Sequence, residues 1–332
     1  MNRQRIHLIY TRAHARVGAG LAPKFRTIAM AGTRKRARAD VHTRMRGGAY
    51  GGNGMFARET VSVIRTYRSG RIGEKIKFPL PEKERRGRKN RRSSLRKMAQ
   101  NENSAVRRLA RLLNEYFGAD CWLIGLDYGP EGYMRVEERA IGLFEQRLRE
   151  TGEEPVWEDC MLDAADHEAG LCLRRVNREL KKRGLDNMRY VLITSDMDGK
   201  TGEAVRVHHH ICVSAGAKDI IVSKWGLGGV DYEPMWDEPD HYALAEYLIE
   251  QVRRRPDAKK YTPSRNMPMP PPKDRTVYTD AELRAPQGAF VLYRSEWKRG
   301  GVQYLRYILP AGAGDGVDGE EVSAFVPETE GS

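Results

Sequence analysis

Val205-Arg206-Val207-His208-His209-His210-Ile211-Cys212-Val213-Ser214 places three histidines side by side within a β-branched, apolar run. Such a run reads as a strand. Side chains alternate across a strand, so His208 and His210 project from one face and His209 from the other. Two imidazoles one pleat apart can share a metal ion. A solvated strand face that happens to carry histidines gives the same pattern, and the stretch alone leaves both readings open.

Upstream, Tyr190-Val191-Leu192-Ile193-Thr194-Ser195 is a second strand, and Asp198-Gly199 is a strong turn signal between the two, so an antiparallel hairpin is predicted. Cys121 to Asp127 is short and apolar, bounded by Asp120 and Gly129-Pro130, as suits a buried central strand. Helical spacing is found over about 103–117, 134–150, 166–183 and 239–253. Thr60 to Ile64 and Glu74 to Phe78 look like short strands with a turn at Ser69-Gly70, and Phe290 to Tyr293 and Tyr304 to Leu309 are later strand-like pieces. Met267 to Pro272 is proline-rich and reads as an extended surface connection. The expected fold class is α+β, a central antiparallel sheet of about five strands flanked by helices.

Charge divides the chain. Residues 1–100 hold 27 Lys and Arg against 5 Asp and Glu, whereas the remainder holds 31 against 40. A basic front joined to a mildly acidic body suggests an arm that meets a polyanion, most simply nucleic acid. Residues 1–58 are rich in Arg and Gly without periodicity and are expected to form a disordered arm. Residues 59–310 form the expected folded domain. Residues 311–332, with six acidic groups and no Lys or Arg, are expected to be a disordered acidic tail. Met55, between the glycine-rich stretch and the first patterned segment, is a second candidate start of translation. Between Lys83 and Lys97 nine of fifteen residues are basic. Arg85, Arg86, Arg88, Lys89, Arg91 and Arg92 in this run are candidates for backbone-phosphate contacts, against the plain reading of a solvated linker. There is no run of about 18 apolar residues, nor the apolar core of a signal peptide, so a cytosolic protein without a membrane partner is expected. The scattered cysteines Cys121, Cys160, Cys172 and Cys212 read as reduced thiols.

On the helix after the histidines, Ala245, Leu248, Ile249 and Val252 cluster on one side at 100° per residue. Tyr247 falls roughly opposite, and Tyr242 nearer the edge as a core or rim residue. A tyrosine off the packed stripe is where a phenolic nucleophile would stand, though surface tyrosines are common. A phenol with a pKa near 10 needs an activated target, which a divalent cation on a phosphate oxygen provides. His208 and His210 offer two ligands where Mg²⁺ or Mn²⁺ takes about six. Asp127 and Glu250 are candidates for another ligand or a supporting role, against ordinary surface or salt-bridge roles.

The order of these motifs resembles the HUH endonucleases, the single-strand nicking enzymes of rolling-circle replication and plasmid mobilisation. It is carried by Asn103 to Phe117 leading into Trp122 to Leu126, then Val207 to Ile211, Trp225-Gly226-Leu227-Gly228, Ala245-Glu246-Tyr247-Leu248 and Tyr261 to Asn266. The form is that of replication initiators of filamentous-phage type on bacterial mobile elements. The resemblance implies a five-stranded antiparallel sheet akin to an RNA-recognition fold. It implies Mg²⁺ or Mn²⁺ held by His208 and His210, and Tyr247 as the nucleophile that joins the 5′-phosphate. It further implies single-stranded origin DNA as substrate, host helicase or polymerase as partners, and a bacterial cytoplasmic setting. The family often has lysine three residues after its tyrosine where this chain has Glu250. Either Arg253 takes that charge role or the helix aligns differently, so Tyr242 and Tyr261 remain second choices. A transposase or mobilisation relaxase of the same superfamily is the related alternative. A non-catalytic RNA or single-stranded DNA-binding module is the alternative from another class.

Overall fold

The computed structural model describes residues 61–80, 95–198, 201–252, 259–278, 280–297 and 301–312. The expected arm over 1–58 with Met55, the basic residues Arg85, Arg86, Arg88, Lys89, Arg91 and Arg92, the candidate Arg253 and residues 313–332 of the acidic tail lie outside the described residues. The strands are β1 (Val61–Ser69), β2 (Ile72–Pro79), β3 (Trp122–Asp127), β4 (Tyr190–Met197), β5 (Ala204–Val213), β6 (Val230–Pro234), β7 (Thr262–Pro263), β8 (Lys273–Tyr278), β9 (Phe290–Trp297) and β10 (Val302–Ile308). The helices are α1 (Leu95–Tyr116), α2 (Pro130–Thr151), α3 (Trp157–Lys182), α4 (Lys218–Lys224) and α5 (Tyr242–Glu250).

The α+β class holds, but the expectation of one central sheet does not. The described strands build two five-stranded sheets in the orders β8-β1-β2-β10-β9 and β6-β3-β5-β4-β7, with every pairing antiparallel. The early hairpin β1-β2, turning at Gly70 with φ 53°, draws the late strands β8 and β10 to its two sides. Alternation in a sequence says that a segment is a strand but not which strand it joins, because the partner here is some 200 residues away.

The histidine hairpin forms as predicted, with β4 and β5 paired from Tyr190↔Val213 to Ser195↔His208. β5 lies in the middle of its sheet, between β3 and β4. One face of that sheet is covered by α2 and α3. Ile124, Leu126, Leu192, Val207, Ile211 and Val213 from the strands pack there with Val136 and Ala140 of α2 and Ala169, Leu173 and Val176 of α3. α2 starts with Gly129 and Pro130 and stops at Gly152, φ 70°, whose amide donates to the Leu148 carbonyl at 2.9 Å. These are the residue types that open and close a helix.

α1 packs against both β1 and α5. Toward the first sheet, the buried Arg111 guanidinium donates twice to Glu74, at 2.9 and 2.8 Å, and Tyr304 Oη donates to the same carboxylate at 3.0 Å. Toward the second, Asn114 Oδ1 accepts from the His241 amide at 2.7 Å, and His241 Nε2 donates to the Phe117 carbonyl at 3.0 Å. Helix α5 is thereby seated at its first turn before any contact with the histidine strand is made.

Candidate functional site

His209 is fully buried. Its Nδ1 lies 2.8 Å from Thr194 Oγ1 and its Nε2 2.8 Å from Tyr128 Oη. Thr194 also bonds to Asp166 of α3. A threonine has one hydroxyl proton; given to the Asp166 carboxylate, it leaves Oγ1 to accept from His209 Nδ1–H, and the Tyr128 proton goes to Nε2 at 2.8 Å in preference to the Ala165 carbonyl at 3.3 Å. The ring is therefore neutral, and burial first, then the neighbouring His208 and His210, push its pKa down to about 3. His209 is a core residue that ties β5 to β4 and α3.

The other two histidines stand on the opposite face, with ring centroids 5.1 Å apart and planes at 88°. His208 Nδ1 lies 3.0 Å from the Arg206 carbonyl. It can only donate to that oxygen, which leaves the Nε2 lone pair for a ligand. Asp127 on β3 and Ser195 on β4 are the cross-strand partners of His208. Partners directly opposite in a ladder share a face, so the Asp127 carboxylate is on the histidine side. Gly125 and Ile193 flank His210 in the same way. Gly125 has no side chain to fill the surface there, and Asp231 follows on β6. Burial, then the charge of His208, pushes the His210 pKa down to about 3, with Gln251 opposing; a neutral imidazole is the metal-binding form.

Helix α5 carries Tyr247 onto this face. Leu244, Ala245, Leu248 and Ile249 are its buried residues, and its far end is pinned where Ser195 Oγ donates to the Gln251 carbonyl at 2.6 Å. Tyr247 is half-buried, with its ring edge-on to His210 at 6.2 Å between centroids. Its pKa is pushed up to about 12 by burial and then by Asp198, with Gln251 opposing and Glu233 adding. The phenol thus keeps its proton at neutral pH.

The loop after α4 fixes the Asp127 end of β3. Trp225, fully buried, donates Nε1–H to the Asp127 carbonyl at 3.0 Å, and its ring meets those of Tyr128 and His209. The Asp127 amide donates to Gly229 at 3.0 Å and the Gly129 amide to Leu227 at 2.9 Å. A Cβ on Gly228 would stand 2.2 Å from the Asp127 carbonyl oxygen, and one on Gly132 2.0 Å from that of Leu227. The glycines are there because two backbones touch.

No family model, curated protein or solved structure matches this chain.

Of the three tyrosines singled out, Tyr247 is the one with a ring contact to the histidine pair among the described residues. Tyr242 is half-buried and lies beneath the Arg306 guanidinium at 3.9 Å, on the side of the first sheet. Tyr261 is half-buried just before β7, within the fields of Arg108 and Arg111 of α1. Glu250 closes α5 and is half-buried. Among the described residues no three His, Cys, Asp or Glu side chains come together as a group that could hold a metal ion, so neither Asp127 nor Glu250 completes such a set with the two histidines. Sequence reasoning missed Gln251. It is buried, its amide acts on both His210 and Tyr247, and its Nε2 has no hydrogen-bond partner. Its position four residues after Tyr247, one helical turn on, was the available signal.

Proposed function

We propose that this chain is a site-specific single-stranded DNA endonuclease and ligase of HUH type, with Tyr247 as nucleophile and His208 and His210 as metal ligands, and that it opens rolling-circle replication of a mobile element. What supports the reading is one juxtaposition: Tyr247 of α5 lies edge-on to His210, one of two histidines that share a strand face. The histidine-bearing antiparallel sheet, with two helices on its other face, is in keeping with the RNA-recognition-like arrangement that this reading expects, although a second five-stranded sheet stands beside that expectation.

The donor set fits a hard divalent cation in part. Two imidazoles are present, and Gln251, whose Nε2 has no hydrogen-bond partner, offers an oxygen donor when its carbonyl is turned to the site; water and the DNA phosphate would fill the remaining positions. Mg²⁺ or Mn²⁺, when bound, would withdraw charge from a non-bridging phosphate oxygen. The chain's own residues do the rest. Tyr247 Oη attacks phosphorus and the P–O3′ bond breaks. The phenolic proton leaves, with Asp198 and Glu233 as the carboxylates within electrostatic reach, and the departing 3′-oxygen takes up a proton. The product is a 5′-phosphotyrosine and a free 3′-hydroxyl, which a host polymerase can extend behind a host helicase. Reversal by an incoming 3′-hydroxyl reseals the strand, and a transposase or relaxase would use the same step.

Incubation with origin-bearing single-stranded DNA and Mn²⁺ is expected to give a phenol-resistant covalent adduct. Tyr247→Phe is expected to abolish it, and His208→Ala with His210→Ala to lower it roughly hundredfold or more. Calorimetry with Mn²⁺ should show binding to the wild type that Gln251→Ala weakens about tenfold or more. An adduct that survives Tyr247→Phe overturns the assignment. DNA binding that is indifferent to the histidines, with no cleavage by the wild type, makes the chain a non-catalytic RNA or single-stranded DNA-binding module instead.

A further inference from the structure

The helical face, across the sheet from His208 and His210, carries a second basic feature. A cavity of about 630 Å³ between α2 and α3 is lined by Arg135, Leu171, Arg174, Arg175, Asn177 and Arg178. Arg135 is paired with Glu168, at 3.1 Å, and Glu168 is already shared with Arg139, also at 3.1 Å. The three arginines from α3 have no carboxylate partner among the described residues. Arg175 Nε is buried without a hydrogen-bond partner, although burying such a donor unpaired is costly. Four guanidinium groups held around one concavity repel one another, and an anion relieves that repulsion while accepting their forked N–H donors. The site has room for more than one phosphate, and its accessible wall is mostly apolar, so the charges are carried on aliphatic stems beside Leu171.

We propose that this cavity is a phosphate-backbone site for single-stranded nucleic acid, separate from the nicking centre. It would hold a stretch of strand on the helical side of the sheet while another stretch is engaged at Tyr247. The spacing along α3 favours a strand over a lone ion, because Arg174 and Arg178 are one turn apart on an exposed helical face and can meet successive phosphates. The cavity also has a continuation. Arg174 and Asn177 line a second one, of about 250 Å³, with Tyr190 and Thr262 at the β4-β7 edge; the Asp166 carboxylate also lines it, so the strand's phosphates would stay on the arginine side. That DNA is the polyanion rests on the function proposed above; the arginine geometry does not.

The test uses full-length protein and a (dT)30 oligonucleotide. A dicarbonyl reagent specific for arginine, read by mass spectrometry, is expected to modify Arg174 and Arg178 in free protein and to be blocked by (dT)30. Equal protection by inorganic pyrophosphate at matched phosphate concentration would make it a small-anion site and overturn the proposal. Arg174→Glu with Arg178→Glu, both exposed and remote from Tyr247, is expected to weaken (dT)30 binding about tenfold and to flatten the log–log salt dependence by about 1.4, the value for two single-strand phosphate contacts. Arg174→Lys with Arg178→Lys, which keeps both charges, is expected to stay within about threefold of wild type. Unchanged modification in the presence of (dT)30, or unchanged affinity and salt slope in a charge-reversal variant that melts like wild type, overturns it. Adduct formation is scored separately. Nicking without a footprint removes the groove alone, and a footprint without nicking removes the nuclease alone.

Discussion

Three adjacent histidines of one residue type have unlike surroundings, and alternation along β5 is the cause. His209 is locked between Thr194 and Tyr128, while His208 and His210 face the tyrosine helix. A fourth histidine, His241, shows how far such environments reach. It is buried, its Nε2–H is spent on the Phe117 carbonyl, and its Nδ1 has no partner. Burial lowers its pKa from the ordinary 6.5, against the opposing pull of that carbonyl and of Asp240 and Asp237. With the folded pKa below the unfolded one, the unfolded state takes up the proton first. Stability is then complete above about pH 6.5 and falls as pH drops from there toward the folded value. Each such histidine contributes a slope of at most about 1.4 kcal/mol per pH unit. Urea unfolding of the wild type between pH 7.5 and 5 is expected to show this loss, and His241→Gln, which keeps an N–H for the carbonyl and does not titrate, is expected to flatten it. An identical pH dependence in the variant would assign the loss to other groups, of which His167, His209 and His210 also have lowered pKa values.

At the scale of elements, the site depends on three pieces meeting: β5 with its histidines, α5 with Tyr247, and the end of β3 with Asp127. The hairpin β4-β5 was legible because β-branched runs flank the dipeptide Asp198-Gly199, a turn signal in sequence. The strand β8 was not, since Lys273–Tyr278 is mostly polar and exposed and becomes a strand by lying along β1. The two-residue β7 is equally invisible without β4 beside it. The glycine loop after α4 gives a sharp test of how the Asp127 end is held. Gly228→Ala puts a Cβ against the backbone of Asp127 and Gly129, at 2.2 and 2.4 Å, and is expected to cost about 1–3 kcal/mol by chemical denaturation. Gly226→Ala, where a Cβ meets nothing within 4 Å, is the control and should be near neutral. Equal stability of the two variants would mean that the loop yields freely and does not fix β3.

At the scale of the molecule, helix α1 links what the two sheets contribute. Its grip on the first sheet is the buried pair Arg111–Glu74, reinforced by Tyr304 and by the Tyr67 ring 3.4 Å below the guanidinium. Removing one member of such a pair leaves a buried charge alone, so Arg111→Met is expected to lose about 3–5 kcal/mol. Adding Glu74→Gln removes the stranded charge and should restore part of that. A double variant no more stable than Arg111→Met would show that packing of the arginine, not its charge, is what holds α1. No helix among the described residues is long and apolar enough to cross a membrane.

The sequence by itself determined local facts: that the histidine run and the run before it form a hairpin, that His208 and His210 share a face, that Tyr247 lies off the apolar stripe of its helix, and that the charge is lopsided. These follow from periods of two and 3.6 residues and from turn chemistry, which neighbours along the chain suffice to specify. Only the tertiary structure decided that the described strands sort into two sheets, that Tyr247 rather than Tyr242 or Tyr261 has its ring against His210, and that the buried Gln251 acts on both His210 and Tyr247. Those outcomes depend on contacts between residues far apart in the chain. A helix's rotation about its axis, set here by His241 at one end and Ser195 at the other, is fixed by packing and not by its own pattern.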